Sequence, residues 1–265
     1  MNFKDFADKI NLDGAACRIY YDIDMPDSFY NELKSLFYND TTRFFQKISD
    51  LYGDAYPELL AVYLRLALDL YQVYQQKAIP EHVYFDTMSD FVLWSRQCYR
   101  ETGIWGIKEK YWLAEHLKMK LFKLGRLQFQ PVEYQSDAFS YPVYTGGQPL
   151  PEKTIVYNVH IPAGESLRTS LCEASYQSAQ RFFGGTIIFF CESWLLSPRL
   201  KEILKPQSNI LRFAARYRLI DFDENNDSIH KYLRRNASSL AETVMKYEAD
   251  YRKIGTAVGY FIYNQ

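Results

Sequence analysis

In the first half of the chain, apolar residues recur every three or four positions, the spacing that lines one face of an α-helix. Residues 1–10 are charged and amphipathic. Pro26-Asp27 opens a helix through Phe29, Leu33, Leu36 and Phe37, with one apolar stripe for a core and a polar face for water. A longer helix begins near Pro57, a residue tolerated in a first helical turn, and runs through Leu59, Leu60, Tyr63, Leu64, Leu66, Ala67, Leu70, Tyr71 and Tyr74. It is apolar nearly all round, so it is expected at the centre of a helical layer. Ile79-Pro80-Glu81 ends it and starts a helix carrying Val83, Met88, Phe91, Val92, Trp94, Ser95 and Cys98, with Gly103 as its stop. A further helix is expected from about Ile107 to Leu121, closed by Gly125.

At Arg126 the period changes. Leu127, Phe129 and Val132 alternate with Arg126, Gln128 and Gln130, which suits a half-buried strand. Residues 136–153 hold Pro142, Gly146, Gly147, Pro149 and Pro151 and read as a turn-rich connection. The pattern then gives a strand at 154–161, a helix at 166–183, an apolar strand at 186–191, a short helix at 198–204, a strand at 216–222, a helix at 240–252 and a last strand at 258–263. Strands alternating with helices make an α/β layer, and the run from Ile187 to Phe190 predicts a central strand covered on both faces. The predicted organisation is a helical N-terminal domain over 1–120 packed on a C-terminal domain over 121–265. The segment 121–125 joining them is short and apolar, unlike a flexible tether.

Composition narrows the function classes. The 265 residues allow one large core or two fused ones, and 48% hydrophobic residues with no long charge run leave little room for disorder. With 31 basic and 32 acidic residues the net charge is -1, which gives no electrostatic footprint for nucleic acid. The start of the chain lacks the apolar stretch and cleavage site of a secretory signal. The most apolar segment, 59–73, carries Arg65 and Asp69 and is shorter than the roughly 20 residues of a spanning helix. A cytoplasmic protein with no membrane partner is expected. Cys17, Cys98, Cys172 and Cys191 lie far apart, without the paired spacing of zinc or redox motifs, so reduced and mostly buried thiols are expected.

The candidate chemistry clusters in the second half. Asn158-Val159-His160-Ile161-Pro162-Ala163-Gly164-Glu165-Ser166 is a strand that breaks through Pro and Gly into a helix, a junction whose unpaired backbone N–H groups suit a phosphate. The same residues also read as a plain turn with Ser166 as helix N-cap. His160 stands where a strand ends, and an imidazole there can take or give a proton near neutral pH; a structural histidine is the competing reading. Cys191-Glu192-Ser193-Trp194 follows the next strand, so a Cys191–His160 nucleophile pair is a further alternative. His82, Asp86 and Asp90 share a helical spacing that can gather metal ligands, although a solvated polar face explains it better and no metal is expected. No Gly-x-Ser-x-Gly, Walker or dinucleotide fingerprint occurs.

Longer phrases carry more information than these single residues. Leu121-Phe122-Lys123-Leu124-Gly125-Arg126-Leu127-Gln128-Phe129, the Asn158–Gly164 phrase, Cys191-Glu192-Ser193-Trp194-Leu195-Leu196-Ser197-Pro198-Arg199-Leu200 and Ser208-Asn209-Ile210 occur in that order. Together they resemble a bacterial family of GNAT-like acyltransferase proteins, with a helical N-acyltransferase N-terminal domain and a GNAT-type C-terminal domain. The resemblance spans nearly the whole chain. It implies an α+β or α/β fold, with the helical domain packed on a GNAT-like mixed sheet that is flanked by helices and splayed at its centre.

What the resemblance implies about chemistry is transfer of an acyl group from acyl-CoA or acetyl-CoA to a small-molecule amine, bound between the helical half and the splayed sheet. Asn158, Val159 and Ile161 would offer backbone groups to the thioester and pantetheine, and Ala163, Gly164, Glu165 and Ser166 would hold the pyrophosphate. His160 would act as base, Ser193 would assist release of the thiolate, Trp194 would wall the acyl pocket, and Cys191 and Asn209 would converge with them at one sheet end. The sequence departs from the usual GNAT pattern in two places. The loop after the strand has a single glycine, and residues 193–204 contain no tyrosine to protonate the departing thiolate. A catalytically silent GNAT-like module that binds a metabolite or a protein is therefore the alternative, with a Cys191 hydrolase behind it.

Overall fold

The computed structural model describes every residue except 139–141, 227–228, 231–238, 251 and 265. The chain divides into two compact units, Met1–Phe122 and Lys123–Gln265.

The first unit is helical. Helix α1 (Phe3–Ile10) starts where the Asn2 side chain accepts from the Asp5 N–H at 2.9 Å and stops at Asn11, which turns left-handed. Helices α2 (Gly14–Asp22), α3 (Asp27–Asn39) and α4 (Thr41–Tyr52) follow, the last capped by the Asp40 carboxylate on the Arg43 N–H. The all-round apolar pattern becomes α5 (Tyr56–Gln76), whose ten buried residues lie in the middle of the layer. Tyr63 on α5 meets the rings of Phe37, Phe44 and Phe91, and its hydroxyl donates to the Lys110 carbonyl at 2.8 Å. Each ring so buried contributes about 1.5–3 kcal/mol, and the hydroxyl is not left unpaired.

Two expectations in this unit are corrected. The helix expected across 83–98 is two, α6 (Glu81–Met88) and α7 (Asp90–Thr102), because the Ser89 hydroxyl bonds the Asp86 carbonyl and breaks the run. Asp90 therefore does not share a helix face with His82 and Asp86. It is buried instead against His116, with Nε2 3.0 Å from its carboxylate. Among the described residues no group of three or more metal-binding side chains is gathered. The helix expected to reach Leu121 is α8 (Lys110–Leu117), which ends because Met119 turns left-handed rather than at Gly125. No helix among the described residues is long and apolar enough to cross a membrane.

The second unit is a six-stranded mixed sheet in the order β1-β2-β5-β6-β8-β7 with a separate two-stranded hairpin. The strands are β1 (Phe122–Leu124), β2 (Leu127–Glu133), β5 (Ile155–His160), β6 (Ile187–Ser193), β7 (Arg218–Asp223) and β8 (Thr256–Tyr263), and the hairpin is β3 (Tyr144–Thr145) with β4 (Gln148–Pro149). Strand β6 sits between β5 and β8 with its first five residues buried, as the apolar run predicts. Helix α9 (Thr169–Phe183) joins β5 to β6, and its Tyr176 packs on Phe129, Phe189 and Phe261 from one face of the sheet. The other face holds Tyr134, Val143, Leu150, Val156, Ile188, Phe190, Ile220 and Tyr260. Short helices α10 (Leu200–Ile203) and α11 (Asn209–Ala214) follow β6, and a helix at Ser239–Asp250 precedes β8.

Candidate active site

The site arises from how β5 and β6 pair. Among the described residues theirs is the only parallel pair in the sheet, and its register includes just Tyr157 opposite Phe189 and Asn158 opposite Phe190. Beyond that point β5 continues to His160 and β6 to Ser193, each still held by its outer neighbour, β2 or β8. The facing backbone edges are thus freed of each other while remaining anchored, so their polar groups are available to a ligand.

A cleft of about 470 Å³ opens at this split, within the range of small-molecule sites of about 300–1,000 Å³. Val159, His160 and Ile161 line it from β5 and the turn beyond, Ser193 and Trp194 from the end of β6, and Asn209 from α11. The loop residues Ala163, Gly164, Glu165 and Ser166 complete the rim. Asn158 is not among the lining residues. It opens on a smaller pocket of about 150 Å³ with Val156 and Phe190, further back along the same face of the strand as His160, where β5 and β6 are still paired.

The His160 Nε2 lies 2.9 Å from Gln130 Oε1 across the β2–β5 pair. This contact with the Gln130 amide orients the imidazole at the end of β5. Ser193 Oγ accepts from the Leu195 N–H at 3.1 Å, which caps the short turn at Trp194–Leu196 and leaves the hydroxyl proton for donation. Trp194 is buried and gives the cleft an apolar wall. Asn209 Nδ2 donates to Ser166 Oγ at 3.2 Å. Ser166 is therefore a rim residue and not an N-cap; helix α9 starts later, with Arg168 at the cap position.

Cys191 does not join this group. It is fully buried, its thiol is pushed up by burial with Glu192 adding to the effect, and it is absent from the cleft lining. A thiol held protonated away from the cleft is no nucleophile, so the Cys191–His160 pairing is excluded. Of the lining residues that the sequence did not single out as site residues, two carry charge. Glu192 opens on both the cleft and the smaller pocket, and Arg126, read there as the polar partner in an alternating strand, is 6% exposed beneath the loop.

A mixed sheet split at its parallel pair, with a loop, a helix and a cleft following the first split strand, is the architecture of a GNAT-like fold. The chain belongs to the family of the GNAT-like C-terminal domain, whose pattern matches residues 121–257, and residues 1–119 match the N-acyltransferase N-terminal domain. No curated protein matches the chain in sequence. Among the solved structures that share its fold are three acyltransferase complexes. An acyltransferase in complex with decanoyl-CoA and teicoplanin is 19% identical with a TM-score of 0.76, over 98% of this chain and 87% of that one. An acyltransferase in complex with CoA and 10C-teicoplanin is 20% identical with a TM-score of 0.76, over 97% and 86%. An acyltransferase mutant in complex with octanoyl-CoA is 20% identical with a TM-score of 0.75, over 97% and 86%.

Proposed function

We propose that this chain is an acyl-CoA-dependent N-acyltransferase whose acyl donor enters the split between β5 and β6. The observation that carries the reading is the split itself: anchored strands with unpaired facing edges, ending in a cleft that holds an imidazole, a hydroxyl and an apolar wall. Pantetheine, an extended chain with amide groups, is the kind of ligand such a strand edge can accept as a substitute strand. The structural neighbours crystallised with octanoyl-CoA and decanoyl-CoA favour medium-chain donors as the first to test.

In this mechanism the acceptor amine attacks the thioester carbonyl directly. Backbone N–H groups along Val159–Ile161 face the developing oxyanion, and such preorganised donors supply the largest expected part of the rate. His160 takes the amine proton, directly or through a water, and the tetrahedral intermediate collapses with loss of the coenzyme A thiolate. Ser193 donates a hydrogen bond to that sulfur, a weak substitute for an acid. Trp194 bounds the acyl chain. Holding donor and acceptor in one cleft contributes further through proximity.

The experiment is a thermal-shift and calorimetric screen of acyl-CoA esters from two to ten carbons, followed by detection of free thiol in the presence of amine acceptors. Binding with thiol release in the presence of an amine supports the enzyme. The absence of tyrosine from residues 193–204 favours the second reading, a silent GNAT-like module. Acyl-CoA binding without release by any amine would select it, and no binding of any ester would remove the acyl-CoA reading altogether.

A further inference from the structure

The loop between β5 and α9 runs Ile161-Pro162-Ala163-Gly164-Glu165-Ser166-Leu167-Arg168. It is poorly equipped to hold a diphosphate by backbone alone, since Pro162 has no N–H and Gly164 is its only glycine. Beneath it lies Arg126. The residue is 6% exposed and is the only lysine or arginine among the described residues that line the cleft. Its placement is fixed from below. Gly125 adopts a positive φ of 77° at the turn into β2, and the Ser175 hydroxyl of α9 receives the Arg126 N–H at 2.7 Å and the Leu127 N–H at 3.3 Å.

One edge of the guanidinium is committed to the loop. Nη2 donates to the Glu165 carbonyl at 2.7 Å and Nε to the Ser166 carbonyl at 3.4 Å. Nη1 has no hydrogen-bond partner among the described residues, and no carboxylate among them lies within ion-pair distance. Glu165, the nearest opposing charge, is exposed at the rim, and burial itself lowers the Arg126 pKa. A buried guanidinium with two carbonyls for company keeps an uncompensated charge and an outer pair of N–H groups, which is the fork that matches phosphate oxygens.

We propose that Arg126 binds the diphosphate of coenzyme A through this outer edge, clasping the loop with one side of its guanidinium and the nucleotide with the other. The charge that other loops of this kind supply through glycine-rich backbone comes here from the turn that leads into β2. Glu165 and Glu192 at the cleft mouth repel a misplaced anion, so the phosphates are drawn to the one buried cation. The inference rests on the acyl-CoA reading above.

The test is calorimetric titration of coenzyme A and of pantetheine, which has the thiol arm without the diphosphate, against wild type, Arg126→Met and Arg126→Lys. The expected result is roughly a tenfold or greater loss of coenzyme A affinity in Arg126→Met, partial recovery in Arg126→Lys, and unchanged pantetheine affinity throughout. Equal weakening of both ligands would mean that Arg126 only shapes the loop, and no change in either would mean that it is a bystander; both overturn the proposal. If Arg126→Met does not fold, the coenzyme A to pantetheine ratio in Arg126→Lys decides by the same criteria. Should wild type bind no coenzyme A, the acyl-CoA reading fails, and inorganic pyrophosphate becomes the probe: binding that Arg126→Lys weakens upholds the anion site, and no binding removes it.

Discussion

Asn209 Nδ2 donates to Ser166 Oγ at 3.2 Å, so the start of α11 is tied across the cleft to the loop that follows β5. The two residues are 43 positions apart, and their bond joins the rims of the proposed donor site without reaching its interior. Such a bond between neutral, partly exposed groups contributes on the order of 0.5–1.5 kcal/mol. Asn209→Ala should therefore weaken acyl-CoA binding by roughly two- to tenfold and leave turnover at saturation nearly unchanged. A double-mutant cycle with Ser166→Ala should return most of that energy as coupling; additive losses would show that the bond is not what holds the rim.

The contact between His160 and Gln130 leads to a kinetic expectation. If His160 is the base, His160→Ala lowers turnover by about a hundredfold or more, the usual size of general base catalysis. Gln130→Leu keeps the imidazole but removes the amide that orients it, so turnover should fall by a smaller factor with acyl-CoA affinity retained. Turnover that survives His160→Ala in a folded protein would leave the histidine a structural role, with Glu192 as the next residue to change.

The sequence made some of this site legible and hid the rest for definable reasons. The phrases around His160, Ser193 and Asn209 lie at the ends of successive elements, and chain topology alone brings such ends together, so their shared cleft could be anticipated. The point where the strands part is different. Asn158 was expected at the donor site, yet it lies where β5 and β6 are still paired and opens on the smaller pocket, and no composition rule says at which residue the pairing stops. Arg126 was hidden because an arginine in an alternating strand reads as a solvated position; only the turn at Gly125 and the Ser175 hydroxyl explain its burial. Helix ends behaved similarly. Ser89 and Met119 stop their helices through local bonds and a left-handed turn, where periodicity would have continued.

Cys191 provides a chemical check on the fold of the split sheet. Its thiol is fully buried and its pKa is raised by burial, so alkylation of the native protein at mildly alkaline pH should leave it unmodified. Cys17, which is partly exposed, should react first, as read by mass spectrometry of tryptic fragments. Loss of turnover that tracks modification of Cys191 in the folded state would contradict its exclusion from the site.

The last expectation concerns alkali. Tyr30, Tyr63, Tyr74, Tyr84, Tyr176 and Tyr217 are all buried, and in each case burial is the first cause raising the hydroxyl pKa above its ordinary value. Desolvation disfavours the phenolate in the folded state, whereas the unfolded chain ionises near pH 10. A group whose pKa is raised on folding contributes its full stability below the unfolded pKa and loses it as pH climbs through the folded one. Each such tyrosine therefore removes about 1.4 kcal/mol of stability per pH unit above pH 10. Six together remove on the order of 8 kcal/mol per unit, comparable with the whole stability of an ordinary domain. Unfolding is expected within about two units above pH 10, with tyrosinate absorbance and loss of helical circular dichroism rising together in one steep step. Full tyrosine ionisation while the helical signal persists would show that these hydroxyls reach water in the native protein, and with that the aromatic core described for both units would be wrong.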